Sequence, residues 1–129
     1  MPVIDPVPKC ELPPELRQAI ERGTTSRMLS STIPVQIWAH RPSIALAWLS
    51  VLEQFYAGSR LDERLRELVR LKIASITKCK ACMIARKSDE VSDEDLSCLS
   101  WSDERFTPPE QAALHYAELF ASDYFEIDD

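Results

Sequence analysis

Glycine and histidine are scarce in this sequence. It holds two glycines and two histidines among 129 residues, against nine prolines. Hairpin turns between strands draw heavily on glycine, whereas helices can be separated by single prolines and glycines. No convincing alternating strand pattern is found either. The sequence therefore predicts an all-α fold.

A long apolar run and an excess of positive charge are also missing. No apolar run approaches the roughly 18 residues of a membrane helix, and the first residues have neither the basic nor the apolar stretch of a secretory leader. The net charge of -6 repels phosphate backbones and anionic headgroups. We expect no nucleic-acid partner, no membrane partner and a cytoplasmic location.

Length and proline positions predict the domain organisation. A chain of 129 residues suffices for one compact domain with a core, and we assign residues 15–129 to it. Prolines cluster near the N-terminus and predict an extended arm over residues 1–14. In that arm Val3, Ile4 and Val7 are placed to lie across a neighbouring surface.

Start and stop signals predict the helices. Pro14 begins a short helix that ends at Gly23 in a left-handed cap, and Pro34 begins another. The stretch 43–56 is apolar nearly all round, which predicts a buried central helix that stops at Gly58. A helix over 61–76 is expected to bury one face, made of Leu61, Leu65, Leu68, Val69, Lys72 and Ile76. Ser92 and Thr107 carry the capping signals of two further helices.

Cys79 and Cys82 form a CxxC motif. If Thr77 and Lys78 form the turn between two helices, both cysteines lie in the first turn of the second. Unpaired N–H groups and the helix dipole favour a thiolate there, and Lys78 and Lys80 add positive charge. The motif is typical of a thiolate nucleophile with a resolving thiol.

Other interpretations of the motif compete with redox chemistry. A zinc site needs two more ligands, and the other candidates are scattered singly: Cys10, Cys98, His40 and His115. We expect no metal, and a lone histidine is more often a cap or a packed residue than a catalytic group. Two buried, inert cysteines remain an alternative. A thioredoxin-type fold would need βαβ strands, which are not found.

Glu67 and Arg86 lie at equal heights if the chain reverses near residue 77. Glu67 comes ten positions before that point and Arg86 nine after it, and helices rise by about 1.5 Å per residue. An antiparallel helical hairpin would therefore bring the two side chains into an ion pair. The alternative is that Glu67 lies on a solvated face beside Arg64 or Arg70.

Glu67 is followed by eleven residues, then by Cys79-x-x-Cys82, then by three residues and position 86. This spacing resembles the E-x11-C-x-x-C-x3-H signature of the AhpD-like, or carboxymuconolactone decarboxylase-like, superfamily. The similarity extends over roughly residues 34–125 and includes the stretches 38–75 and 106–120. This resemblance implies an AhpD-like helical bundle with the CxxC at the start of a helix. It also implies homo-oligomers, commonly trimers or hexamers, with a dimer as the alternative.

The resemblance further implies a function. Members with the cysteine pair are alkylhydroperoxidases, that is, thiol-dependent antioxidant peroxidases recycled by an external dithiol. Carried over, Cys82 attacks the small hydroperoxide, Cys79 resolves it to a disulfide, and Glu67 begins a proton relay. No cofactor is implied. A non-redox decarboxylase and a non-catalytic oligomeric relative with a decayed site are the alternatives.

This chain departs from the family pattern at several places. The relay histidine falls at Arg86, and Ala81 stands where the best-known peroxidases carry a histidine between the cysteines. Arginine does not release a proton in proteins, so we expect Arg86 instead to stabilise the Cys82 thiolate one helical turn earlier. The run after the motif is about one turn shorter, and the family continues with more helix after residues 119–129. We therefore expect either a C-terminal truncation or a partner subunit that covers what the missing helix would.

Overall fold

All regular structure that the computed structural model shows over residues 3–128 is helical, which confirms the all-α prediction. The helices are α1 (Pro14–Thr25), α2 (Ile33–Trp38), α3 (Pro42–Ala57), α4 (Glu63–Ile76), α5 (Lys80–Ile84), α6 (Asp93–Ser97) and α7 (Pro108–Ser122). Single 3-10 turns lie at Lys9–Glu11 and Tyr124–Glu126. Within these residues, no helix combines the length and the apolar character needed to cross a bilayer.

The chain divides into two compact units, Met1–Arg60 and Leu61–Asp129. Each has a hydrophobic core cluster of its own. We describe each unit by itself, and the single domain over residues 15–129 stays a prediction.

The first unit packs α1 and α2 against α3. Helix α1 begins at Pro14 as predicted, but its predicted end at Gly23 is wrong, because the helix continues to Thr25 and Arg27 adopts the left-handed conformation. Gly23 serves close packing instead. A Cβ atom there would lie 2.9 Å from two side-chain carbons of Leu29, so glycine lets the chain after α1 fold back against the helix.

Helix α3 spans the predicted segment and ends at Gly58, but the prediction that it is buried all round is wrong. Only Ala45 and Leu49 are buried, because α1 and α2 cover one side of the helix. Large apolar side chains on the remaining surface are exposed: Ile44, Trp48, Val51 and Phe55. Trp48 meets Trp38 edge to face, with ring centroids 5.8 Å apart.

The N-terminal segment lies against α2. The Val7 N–H donates to the Gln36 carbonyl at 3.1 Å, and the Gln36 side-chain amide donates to the Val7 carbonyl at 2.9 Å. The His40 ring hydrogen-bonds the Asp5 carbonyl at 2.8 Å. Val7 packs against the core cluster, whereas Val3 and Ile4 are exposed. Of the three apolar residues predicted to cover a surface, Val7 does so.

The second unit is built on α4 packed against α7, with α5 against α4. Both predicted caps are confirmed, since Ser92 with Asp95 and Thr107 with Glu110 form capping boxes. The predicted buried face of α4 is right for Leu68 and Lys72 but wrong for Leu61, which is exposed. Lys72 reaches Glu118 of α7 at 2.5 Å. The buried residues of α4 are Glu67, Leu68, Leu71, Lys72 and Ala74.

One arginine connects the starts of three helices in this unit. Arg64, in the first turn of α4, donates from Nε to Glu110 at 2.7 Å and from Nη1 to Asp95 at 2.8 Å and to the Glu90 carbonyl at 2.7 Å. Burial, the largest influence on Glu110, raises its pKa, but hydrogen bonds from Thr107 and Arg64 outweigh burial and lower the pKa overall. Both capping carboxylates are thus held ionised by the same guanidinium.

The Asp95 carboxyl makes the stability of this unit dependent on acid. The hydrogen bond from Arg64, helped by those from Ser92, lowers the pKa of Asp95 from 3.8 to about 2. Because the pKa of Asp95 is lower in the folded than in the unfolded state, its ionised carboxyl stabilises the fold fully at pH values above the unfolded pKa. This stabilisation is lost as the pH falls from about 4 through about 2. The expected loss is about 2 kcal/mol of unfolding free energy.

Urea unfolding at pH 7 and pH 2 measures this loss. Asp95→Asn should lower the stability at pH 7 and flatten the acid dependence. Glu94→Gln is the matched control, because Glu94 is an exposed carboxylate in the same first turn of α6. If Asp95→Asn and Glu94→Gln changed the acid dependence equally, the role given to Asp95 would be contradicted.

Candidate functional site

A residue in the left-handed conformation follows the end of helix α4. Thr77 caps α4, Lys78 follows with φ 55°, and Cys79 is the N-cap of α5. The Cys82 N–H donates to the Cys79 sulfur at 3.3 Å, as a capped first turn requires. The motif therefore lies where the chain leaves one helix and begins the next.

The two cysteines are joined by a disulfide, with their Cα atoms 5.3 Å apart. Both residues are half-buried, so the sulfur pair is neither sealed in the core nor fully solvated. Neither of them is a buried, inert thiol here, which removes that alternative for this state of the chain. The other thiols are free, with Cys10 exposed and Cys98 half-buried.

Glu67 is the most buried charged residue of the described chain, with 2% of it exposed. Its two carboxylate oxygens each accept a hydrogen bond of 2.7 Å from Arg70, one helical turn later. The backbone N–H of Lys87 donates to the same carboxylate at 3.0 Å. Glu67 pairs with Arg70, as the alternative from the sequence proposed, but in the interior and not on a solvated face.

Arg70 also reaches the cysteine segment. Its Nη1 donates to the Cys82 carbonyl at 2.7 Å, and its Nη2 donates to the Ala85 carbonyl at 3.1 Å. Helix α5 ends at Ile84, so these carbonyls lie at its C-terminal end, where intrahelical donors run out. The Glu67 and Arg70 side chains, called the buried fork below, therefore anchor α5 to α4.

Arg86 contacts Glu67 more weakly than the sequence predicts. Its Nε lies 3.8 Å from a Glu67 oxygen and is buried without a hydrogen-bond partner. The rest of the guanidinium donates to Asp93 at 3.0 Å and to the Val91 carbonyl. The predicted ion pair is thus present, but as a secondary contact beside the Arg70 fork.

The prediction that Arg86 lies one helical turn after Cys82 is wrong. Helix α5 stops at Ile84, and Ala85 has φ -77° and ψ 80°, so Arg86 is outside the helix. The contacts that the structure gives Arg86 lead to Glu67, Asp93 and Val91. Arg70 donates to the Cys82 carbonyl, although the sequence predicted it only as a surface neighbour of Glu67.

Lys87 completes the surroundings of the fork. Burial lowers the pKa of its side chain, the nearby Arg70 charge lowers it further, and Glu67 opposes both. The position follows Arg86 directly, and no residue pattern in the sequence singles it out. Its backbone N–H on Glu67 is set by where the chain turns after α5.

The other candidate residues have other contacts or belong to the other unit. The rings of His115 and Trp101 are tilted by 32° with their centroids 4.4 Å apart, and His40 belongs to the first unit. Cys98 hydrogen-bonds Asp103, whose pKa is lowered mainly by hydrogen bonds from Arg105. No group of three or more histidine, cysteine or acidic residues that could hold a metal ion occurs within residues 3–128.

Comparisons with models of known protein families, with curated proteins and with solved structures found no match. The AhpD-like packing and the antiparallel hairpin around the cysteines therefore stay predictions from the motif. The structure shows a half-buried cysteine pair at a capped turn and a buried fork that anchors α5 to α4.

Proposed function

We propose that this chain is a thiol-dependent peroxidase of the AhpD-like kind that uses Cys79 and Cys82 as its redox pair. The observation that carries the proposal is the disulfide between two half-buried cysteines at the start of α5. Two cysteines held with their Cα atoms 5.3 Å apart can cycle between a dithiol and a disulfide by thiol–disulfide exchange.

The reaction begins with the Cys82 thiolate, which attacks one oxygen of the hydroperoxide. The oxygen–oxygen bond breaks, Cys82 becomes a sulfenic acid, and the alkoxide leaves and takes a proton from solvent to give the alcohol. The Cys79 thiol then attacks the oxidised sulfur, water leaves, and the disulfide forms. The peroxide is reduced and the two thiols are oxidised.

An external dithiol closes the cycle by thiol–disulfide exchange. Its thiolate attacks one sulfur of the disulfide, which forms a mixed disulfide and releases the other cysteine as a thiolate. Its second thiol then attacks the mixed disulfide and releases the remaining cysteine, so that the dithiol leaves as a disulfide. Release is easier for the sulfur whose thiolate is better stabilised. The Cys79 sulfur accepts a hydrogen bond from the Cys82 N–H, which stabilises a Cys79 thiolate when that sulfur is released.

Glu67 has a positioning role in this proposal and does not relay protons. Both of its oxygens are engaged by Arg70, and the Lys87 N–H adds a further donor. Arg86, at the position of the family histidine, has no proton to exchange in the working pH range. Protons therefore move between the sulfurs, the substrate and water.

A homo-oligomer is part of the proposal, in line with the family resemblance. Large apolar side chains are exposed on α3 and also on α7, where Tyr116 and Phe120 stack with ring centroids 6.1 Å apart. Exposed apolar patches of this kind are typical of association surfaces. A cytoplasmic location, with a reducing thiol pool at hand, is proposed with it.

Stopped-flow mixing of the reduced protein with cumene hydroperoxide tests the function. We expect stoichiometric alcohol and a Cys79–Cys82 disulfide. Cys82→Ser should slow the reaction by roughly 100-fold or more, because the nucleophile is lost. Cys79→Ser should retain the first step and accumulate a sulfenic acid on Cys82, detected by dimedone labelling and mass spectrometry.

Cys98→Ser is the matched control, since Cys98 is a half-buried free thiol of the same unit. It should behave as the parent protein. Absence of peroxide consumption by the parent would favour the non-catalytic alternative. Turnover of a lactone substrate that survives loss of both motif cysteines would favour the decarboxylase alternative.

A further inference from the structure

Arg70 joins the buried Glu67 carboxylate to helix α5. Four hydrogen bonds of 2.7–3.1 Å connect its guanidinium to Glu67 and to the carbonyls of Cys82 and Ala85. About a fifth of the Arg70 side chain is exposed, and Glu67 is almost wholly buried. The position and orientation of the guanidinium are therefore fixed by its partners.

A fixed positive charge at this place acts on the sulfur of Cys82. The carbonyl oxygen and the sulfur of one cysteine are only a few covalent bonds apart, and Arg70 touches that oxygen at 2.7 Å. Partial burial strengthens the interaction between charges compared with bulk water. A positive charge nearby favours the thiolate over the thiol.

Glu67 limits this effect because its carboxylate carries the opposite charge on the far side of the same guanidinium. The hydrogen bonds from Arg70 to both carboxylate oxygens, each of 2.7 Å, hold the two charges in direct contact. The field that reaches Cys82 is thus the difference between the contributions of Arg70 and Glu67. Arg70 alone would stabilise the Cys82 thiolate more strongly than the pair does, and Glu67 alone would destabilise it.

We propose that Arg70 is a positioning residue that holds Cys82 in α5 and stabilises its thiolate, and that Glu67 sets the strength of this stabilisation. The biological meaning rests on the proposed function, because a more stable thiolate attacks peroxide at lower pH. The effect on the thiol itself can be measured without any peroxide.

Other charged groups lie on α4, on α5 and on the segments that adjoin α5, and they belong to the same balance. Helix α4 contributes Glu67 and Arg70, the turn and α5 contribute Lys78 and Lys80, and the segment after α5 contributes Arg86, Lys87 and Asp93. Variants at positions 67 and 70 leave the remaining groups in place. Differences between such variants therefore report on the fork.

The test is the pH dependence of iodoacetamide alkylation of Cys82. It is measured on the full chain with Cys10, Cys79 and Cys98 replaced by serine, so that one thiol remains. Arg70→Gln should raise the pKa of Cys82 by about one unit, which lowers the thiolate population about tenfold at pH values well below the pKa. Glu67→Gln should lower the pKa by a similar amount. Arg70→Lys keeps the charge and should restore most of the difference.

Opposite directions are the decisive feature, because a merely structural role would make both neutral variants change in the same direction. Shifts of equal sign, or no shift in either variant, would overturn the inference. If Arg70→Gln does not fold, as judged by circular dichroism, the comparison of Arg70→Lys with Glu67→Gln decides, with the second expected to have the lower pKa. Opposite shifts without peroxide turnover would support this inference and refute the proposed function.

Discussion

Replacing Glu67 by alanine is expected to lower the unfolding free energy of the second unit by about 3–5 kcal/mol, because it leaves a buried arginine without its countercharge. Glu67 is 2% exposed and accepts hydrogen bonds from Arg70 and from the Lys87 N–H. All of these donors lose their acceptor at once. Urea unfolding followed by circular dichroism measures the change.

Glu63→Ala is the matched control, since Glu63 is exposed in the first turn of the same helix. A loss below about 1 kcal/mol is expected there. The double variant Glu67→Ala/Arg70→Ala should be less destabilised than the sum of the single variants, because the second change removes the orphaned charge. Additive losses would show that the fork does not act as a pair.

The second large effect is expected at Arg64. Arg64→Met should destabilise the second unit by about 2–3 kcal/mol, a value reduced from that of a fully buried pair because the Arg64 side chain is 30% exposed. The substitution leaves the capping carboxylates of α6 and α7, Asp95 and Glu110, without their shared cation. Urea unfolding at pH 7 measures the loss.

The acid response gives an independent check of the same arginine. Without the Arg64 hydrogen bond, the pKa of Asp95 should return towards its usual value, so Arg64→Met should also lose most of the stability change between pH 4 and pH 2. Arg60→Met, at an exposed arginine just before α4, is the control and should keep that change. An unaltered acid response in Arg64→Met would contradict the role given to Arg64.

Helix starts are the part of this fold that the sequence predicted best. Ser92 and Thr107 each precede an acid at the third helical position, and both form the capping boxes that this spacing indicates. The reason is local, because every atom of a capping box comes from four consecutive residues. The burial of α3 was predicted wrongly, because which side of an apolar helix is covered depends on neighbours distant in the sequence.

The candidate site was predicted in part for the same reason. Spacing placed Cys79 and Cys82 at the start of a helix and brought Glu67 towards Arg86. Arg70 was missed as a site residue because its partners at α5 are backbone carbonyls, which every residue carries and no pattern marks. The end of α5 at Ile84, which leaves Arg86 outside the helix, is likewise marked by no residue pattern.

The disulfide spans only three positions of sequence, which limits how much it constrains the unfolded chain. In the loop-entropy description, a ring this small lowers the conformational entropy of the unfolded chain and so stabilises the fold by only about 2 kcal/mol. This value is near the low end for disulfides. The hydrogen bonds from Arg70 hold α5 through its backbone and do not involve sulfur. The anchoring of α5 to α4 through these carbonyls therefore does not depend on the sulfur–sulfur bond, and we expect the chain to keep its conformation when its oxidation state changes.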